Sequence, residues 1–306
     1  MQLDVAQKPK TFIVINPVAG STEPESAREK IAAAFEEKGF PTEFYETKGD
    51  DDFNKIVGDA LQKGCQLVVT SGGDGTLSGV IGGLIGSDVP LLILPSGTWN
   101  ALAQALDIPI DLDNALELLF NEHQIKAIDA MKIDKRYFVL SVSAGVGSRT
   151  MEDVKREEKR RFGRFADLWK AINYLLEFHS HRFELKIDGQ ETRFRASELM
   201  VANSSILGLK ILRLDKNIHM DDGKVNVCRI YANTVGEYLR LAWSMLRGDQ
   251  QHNWNILCVE AAKEVEITCR ERLPVQGDGD LIGHLPVKVT VHPKSVHIIA
   301  PVDAQT

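Results

Sequence analysis

The first 130 residues alternate strand-like and helix-like stretches in a regular order, and this alternation narrows the fold more than any other feature. "TFIVIN" (11–16) is a short, nearly continuous apolar run, the pattern of a strand covered on both faces. The next stretch is helical, with Pro24 near its start, Ala27, Ile31, Ala34 and Phe35 on one face, and Gly39 just past its end. "TEFYET" (42–47) reads as a second strand. Phe53, Ile56, Val57, Ala60 and Leu61 then mark an amphipathic helix closed by Gly64. "QLVVTS" (66–71) and "PLLILP" (90–95) are the third and fourth strands, with helical stretches after them at about 98–106 and 112–121. Strands separated by helices predict an α/β domain with a doubly wound, mostly parallel sheet over 1–130.

Past residue 130 the texture changes. "RYFVLSVSAG" (136–145) reads as one strand, and "RFELKIDGQETRFRAS" (182–197) as a hairpin turning at Asp188-Gly189. "KVNVCRIYA", "VEITCR" and "LPVKVTVHP" continue the strand-rich pattern, interrupted by helical stretches around 162–179 and 234–247. The expectation is a mostly antiparallel, β-rich second domain over 131–294, with a last strand, about 295–306, returning to the first domain.

Composition limits the function classes. A net charge of -7 argues against a nucleic-acid binder. The N-terminal "MQLDVAQKPK" lacks the apolar core of a signal peptide, and no run approaches a membrane span. The chain therefore reads as cytoplasmic, with no transmembrane segment. Cys65, Cys228, Cys258 and Cys269 have no CxxC spacing and lie in or beside apolar stretches, which predicts buried reduced thiols. His179 and His181 flank Ser180 with no third ligand in view and read as surface histidines.

Ligands of open α/β sheets bind where loops leave the carboxyl ends of the strands. Three such loops here carry phosphate-cradle chemistry: "NPVAGS" (16–21), "SGGDGT" (71–76) and "PSGTWN" (95–100). Glycines let backbone N–H groups approach an anion, a helix start just after the loop adds a favourable dipole, and Ser21, Thr76 and Thr98 add hydroxyls. One such loop is as readily a steric turn; three on one sheet edge predict a nucleotide site. No GxxxxGK[ST] is present, "AGVGSRT" (144–150) lacks a third glycine and reads as a turn, and "GVIGGLIG" (79–86) reads as a close-packed helix.

The string Gly72-Gly73-Asp74-Gly75-Thr76 is specific, expected by chance in roughly one chain of this length in several thousand. With "NPVAGS", "LPSGTWNALAQALDIP" (94–109), "IDAMKIDKRYFVLSVSAGVGS" (128–148), "HMDDGKVNV" (219–227) and "GDGDLIGHLPVKVTVHP" (277–293), it resembles the diacylglycerol kinase catalytic family. Within that family it is most similar to the soluble lipid kinases that include sphingosine kinases and bacterial diacylglycerol kinases. The resemblance covers nearly the whole chain in order. It implies a two-domain, NAD kinase/diacylglycerol kinase-like fold with ATP between the domains, and an ATP- and Mg²⁺-dependent kinase acting on a lipid hydroxyl.

Carried over residue by residue, the resemblance implies that Asn16, Pro17, Gly20, Ser21, Thr47, Gly72, Gly73, Gly75, Thr76, Gly97, Thr98 and Asn100 line the ATP site. It places Asp74 near the phosphates and Mg²⁺, assigns a structural Mg²⁺ to Asp221 and Asp222, and makes Asp278 or Asp280 the acceptor of the substrate proton. By the residues alone, Asp278-Gly279 is a hairpin signal like Asp188-Gly189 and Asp222-Gly223. Two departures stand out: the family often has Asp after GTxN, where this chain has Ala101, and the family's late Glu is here Asp280.

The segment 154–178 joins a basic run, six Lys/Arg against two Glu over 155–164, to a stripe of Phe165, Leu168, Trp169, Ile172 and Leu176. It reads as a domain helix with its stripe in the core, or alternatively as a surface for reaching membrane lipid. The implied partners are ATP and a lipid at a membrane surface. A kinase of a soluble metabolite and a catalytically weakened nucleotide or lipid sensor stay open as alternatives, as does a homodimer.

Overall fold

The computed structural model describes residues 3–19, 24–145, 148, 180–207, 209–232, 234, 236–237, 240, 243 and 255–302. The predicted helices around 162–179 and 234–247, the basic segment with its stripe, Gly20, Ser21 and His179 lie outside the described residues or are described only at scattered positions. Two compact units emerge, one built from Met1–Ala130 and the chain from Pro293 onward, the other from most of 131–292.

In the first unit β1 (Thr11–Ile15), β2 (Thr42–Glu46), β3 (Leu67–Gly72) and β4 (Leu91–Pro95) pair in the order β2-β1-β3-β4, every pairing parallel. β1, β3 and β4 are buried along their whole length, as the unbroken apolar runs require of strands covered on both faces. Helices α1 (Pro24–Glu37), α2 (Phe53–Gln62) and α3 (Asp74–Leu84) connect these strands, and α4 (Ala101–Ala105) and α5 (Leu112–Phe120) come after β4. Helix α2 starts at Asp52, whose carboxylate accepts the Lys55 N–H at 3.2 Å, and α5 starts in the same way at Asp111.

The glycines of "GVIGGLIG" are there for packing. A methyl on Gly79 would overlap the Phe53 ring, and one on Gly83 would come within 2.8 Å of the Phe53 carbonyl, so α3 can lie against α2 only without side chains at these points.

Two long strands pass from one unit into the other, β5 (His123–Ile133) and a final strand, Val287–Pro301, numbered β18. The second half of β18 pairs parallel with β4, Ile298 opposite Leu91, so the chain does return to the first sheet.

The second unit is antiparallel. The strands between β5 and β18, in chain order, are β6 (Arg136–Phe138), β7 (Ser141–Gly145), β8 (His181–Ile187), β9 (Gln190–Ala196), β10 (Glu198–Ala202), β11 (Ile206–Leu207), β12 (Leu209–Arg213), whose Leu209 and Lys210 group with the first unit, β13 (Val225–Ile230), β14 (Ile256–Ala261), β15 (Glu264–Cys269), β16 (Pro274–Gly277) and β17 (Asp280–His284). One sheet runs β14-β13-β10-β7-β16-β17; the other runs from the first half of β18 through β15 and β8 to β9. Between them lies an apolar core including Val142, Val201, Val227 and Val275 from the first sheet and Phe183, Leu185, Val265 and Val289 from the second. The strict inside–outside alternation of β8 arises because only one of its faces is covered.

Three expectations are corrected here. "RYFVLSVSAG" is not one strand: the ladder breaks at Val139 and Leu140, because their N–H groups donate to the Asp278 carboxylate and not to a neighbouring strand. Cys228 and Cys258 are not reduced thiols; they face each other in the β13–β14 register and form a disulfide, while Cys65 and Cys269 remain free. His181 is not a surface histidine; its side chain is 1 % exposed, with Nδ1 3.0 Å from the Glu271 carboxylate and the ring edge-on to Phe183.

Candidate functional site

The three loops leaving β1, β3 and β4 are tied together at the carboxyl edge of the first unit's sheet. Asn16 makes the first connection. Its N–H donates to the Ser71 carbonyl at 2.8 Å, and its side-chain amide donates to the Thr76 hydroxyl at 2.9 Å. The same side chain accepts the Val18 N–H through its oxygen, which turns the chain out of β1 past Pro17.

Asn100 closes the third loop on itself. Its Oδ1 accepts the Gly97 N–H at 2.9 Å and its Nδ2 donates to the Gly97 carbonyl at 2.8 Å. Asn100 has a left-handed backbone, φ 47°, which asparagine tolerates better than most residues. That geometry aims the next N–H, of Ala101, at Asp74: the Asp74 Oδ1 accepts it at 2.8 Å. The second and third loops also touch directly, since a methyl on Gly97 would lie 2.6 Å from the Gly73 Cα.

The glycines of the central loop therefore have different causes. Gly72 is needed because a side chain there would meet Thr76 at 2.8 Å, and Gly97 because the backbones meet. Gly75 faces no atom within 4 Å, so nothing in the packing of the chain excludes a side chain there. Bare backbone beside open space at the start of a helix is what an incoming anion can use. Helix α3 begins at Asp74 with Gly73 as N-cap and no side chain capping its first turn.

A cavity of about 750 Å³ opens beside these loops. Asn16, Ser71, Ser96, Gly97, Thr98 and Asn100 form one wall, and Ala27, Lys30, Ile110 and Asp111 contribute to the other. Its size suits a small-molecule ligand. The Asp111 carboxyl is held below the usual range by hydrogen bonds from the Asn114 side chain and backbone. Lys30 pairs with Asp113 at 3.3 Å. Sequence reading missed Lys30, Ile110 and Asp111, which lie far from the glycine motifs and carry no signal of their own.

Thr47 lies just past β2 and its N–H donates to the Ile15 carbonyl at 2.9 Å, at the root of the first loop. The remaining candidates belong to the second unit. Asp221 and Asp222 are exposed in the loop before β13, where Asp222 accepts the Lys224 N–H at 3.0 Å in a side-chain turn. Among the described residues no three His, Cys, Asp or Glu side chains gather as a metal site. Asp278 and Gly279 form the two-residue turn between β16 and β17, both with positive φ (48° and 89°). Asp280 opens β17, exposed.

A parallel α/β unit with glycine-bordered loops at its sheet edge, followed by an antiparallel β-rich unit, defines a fold of NAD kinase/diacylglycerol kinase type. Comparison with known proteins makes this specific. Residues 10–133 match the diacylglycerol kinase catalytic domain, and residues 140–300 match the YegS C-terminal NAD kinase beta sandwich-like domain. The chain belongs to the family that joins these two domains.

Among relatives, it is 25 % identical over 293 residues to a diacylglycerol kinase of Bacillus subtilis, covering 94 % of this chain and 95 % of that protein. It is 24 % identical over 298 residues to a diacylglycerol kinase of Staphylococcus carnosus, covering 96 % and 95 %. An uncharacterized protein of Synechocystis is 28 % identical over 245 residues, covering 79 % of this chain and 56 % of that longer protein. A crystal structure of a diacylglycerol kinase from Bacillus anthracis shares the fold, with a TM-score of 0.72, 23 % identity, and coverage of 95 % and 97 %.

Proposed function

We propose that the protein is an ATP- and Mg²⁺-dependent lipid kinase that transfers the γ-phosphate to a hydroxyl of a diacylglycerol- or sphingoid-like lipid. The observation that carries this reading is that the loops after β1, β3 and β4 are tied together at one sheet edge by Asn16 and by Asp74, whose carboxylate accepts the Ala101 N–H at 2.8 Å. The lipid acceptor is taken from the relatives named diacylglycerol kinase.

Phosphoryl transfer asks a protein chiefly for positioning and charge neutralisation. Bare N–H groups at the start of α3 and the Asn16, Thr76 and Thr98 side chains suit the phosphates. One carboxylate, Asp74, together with phosphate oxygens fits Mg²⁺, which is commonly held by one or two carboxylates plus the substrate phosphates. Bound there, the metal would supply charge neutralisation at the transferring group. Ala101 does not leave Asp74 without support, because the backbone N–H at that position orients the acid. In the transfer a lipid oxygen bonds to the γ-phosphorus, the bond to the bridging oxygen breaks, ADP leaves, and the hydroxyl proton passes to a general base. A base of that kind contributes about 10²–10⁴-fold.

The test is transfer of labelled phosphate from ATP into a total lipid extract and, in parallel, into a polar metabolite pool. Label is expected in the lipid fraction. Asp74→Asn should lower turnover by about 10²-fold or more while its melting temperature stays near that of the parent. Unchanged turnover removes Asp74 from the mechanism. Label only in the polar pool makes the enzyme a metabolite kinase, and ATP binding without any ADP release makes the protein a sensor.

A further inference from the structure

The turn after β2 leaves the same carboxyl edge as the three glycine loops, since β2 pairs parallel with β1. One side chain organises it. Asp51 accepts the Tyr45 hydroxyl on Oδ1 and the Lys48 and Gly49 N–H groups on Oδ2, the latter two at 2.7 and 3.1 Å. The Tyr45 hydroxyl is the main reason that the Asp51 carboxyl lies below its ordinary range. Gly49 supplies the positive φ, 100°, that the turn requires. The tie therefore grips the chain on both sides of Thr47, whose own N–H donates to the Ile15 carbonyl at 2.9 Å.

Two observations say where Thr47 points. Alternate residues of a strand face opposite sides of its sheet. Phe44 and Glu46 face α1, where the Arg28 guanidinium lies 5.3 Å from the Phe44 ring centre and pairs with Glu46 at 3.0 Å. Tyr45 and Thr47 accordingly face the other side, where Asp51 leads into α2. Helix α3 packs against α2 in step: a methyl on Gly79 would overlap the Phe53 ring, and one on Gly83 would come within 2.7 Å of the Val57 Cβ. From the first pair to the second each helix advances four residues, so the two run parallel. The chain just before Phe53 is then level with the first turn of α3. There Gly75 faces open space, and the half-buried Thr47 hydroxyl has no hydrogen-bond partner among the described residues.

We infer that Asp51 is a positioning residue of the nucleotide site: its tie holds the Thr47 hydroxyl beside the open start of α3, where it bonds a phosphate of a nucleoside triphosphate. The inference deepens the kinase reading above and rests on it. An untied turn would let the threonine sample several directions, and a donor fixed beforehand binds an anion at less entropic cost.

The test is Mg²⁺-ATP affinity by calorimetry, together with kcat in the phosphate-transfer assay. Thr47→Val should weaken binding about 10-fold with kcat within about twofold, and Thr47→Ser, which keeps the hydroxyl, should stay within about twofold of the parent. Asp51→Asn should weaken binding about 5-fold and accelerate amide exchange at 48 and 49. Because Asp51 acts through Thr47, the double variant should bind no more than about twofold worse than Thr47→Val alone. The matched control is Asp52→Asn, which weakens the cap of α2 and should lower the melting temperature without changing the affinity.

Unchanged affinity in Asp51→Asn overturns the inference, as does an additive loss of about 50-fold in the double variant. So does Thr47→Ser binding as weakly as Thr47→Val, or Asp52→Asn binding as weakly as Asp51→Asn. If Asp51→Asn fails to fold, Tyr45→Phe, which removes one of the three donors, takes its place in every comparison with an expected loss of about threefold. A parent that binds Mg²⁺-ATP but labels no acceptor defeats the kinase reading and leaves this test standing; a parent that binds no Mg²⁺-ATP overturns both.

Discussion

Asp188-Gly189 and Asp278-Gly279 are the same device built twice. In each turn the aspartate has φ 48° and the glycine φ near 90° (90° and 89°). Each carboxylate accepts three consecutive backbone N–H groups, at 2.8, 2.9 and 2.9 Å in both cases. Each aspartate N–H donates to the third residue of its triplet, Glu264 or Ser141, at 3.0 and 2.9 Å. The two differ in their target. Asp188 holds residues 262–264, where the chain passes from β14 to β15, and Asp278 holds residues 139–141, where it passes from β6 to β7; each segment changes sheet. The residue after the glycine also differs, Gln190 in one and Asp280 in the other. In both turns the Asp-Gly pair reverses the chain while the aspartate clamps a segment distant in sequence.

Gly277→Ala should break the symmetry most strongly. The turn at Asp188 is preceded by Ile187, whose side chain belongs to the core, but a methyl at 277 must displace Phe138. Overpacking of this kind costs about 3 kcal/mol, read as a lower urea midpoint. A change below about 0.5 kcal/mol, the scale of ordinary surface substitutions, would mean that the close approach of hairpin and Phe138 is not real.

Next come the acids themselves. Asp278→Asn should cost about 2 kcal/mol, as for bonds to a charged group, and Asp188→Asn about 1 kcal/mol because that turn is more exposed to water. Equal losses would place the two clamps in equivalent surroundings.

The smallest effect is the pH dependence at Asp188. Burial pushes its carboxyl up, but N–H donors from Ala262, Glu264 and Lys263, with the Lys263 charge, outweigh this and hold it below its ordinary 3.8. A carboxylate lowered in the folded state stabilises above its unfolded value, and that stability is lost as pH falls through the folded value. The stability gap between the parent and Asp188→Asn should therefore be constant near neutrality and close from about pH 4 downward. A gap that persists unchanged through acid would show that the ionised form is not what the three N–H groups hold.

Much of the site was legible because glycine loops after apolar runs are a local signal. The strand alternation predicted the sheet, the sheet predicted which loop ends share an edge, and Asp74 fell among them. The closure of those loops was not legible. That Asn100 folds back on Gly97, or that Ala101 offers its N–H to Asp74, depends on backbone geometry that any residue type at 101 except proline could supply.

What the sequence by itself determined is what short-range pattern controls: the α/β unit, the Asp188-Gly189 hairpin, the return of the final strand, and the family. What only the tertiary structure decided rests on partners far apart in the chain. The apolar run 136–145 breaks because Asp278 competes for its N–H groups from 137 to 139 residues away. Cys228 meets Cys258 because β13 and β14 pair in that register, and His181 is buried because the β-rich core closes over it. Periodicity records which face of a segment is apolar; it carries no record of which distant group will claim its hydrogen bonds.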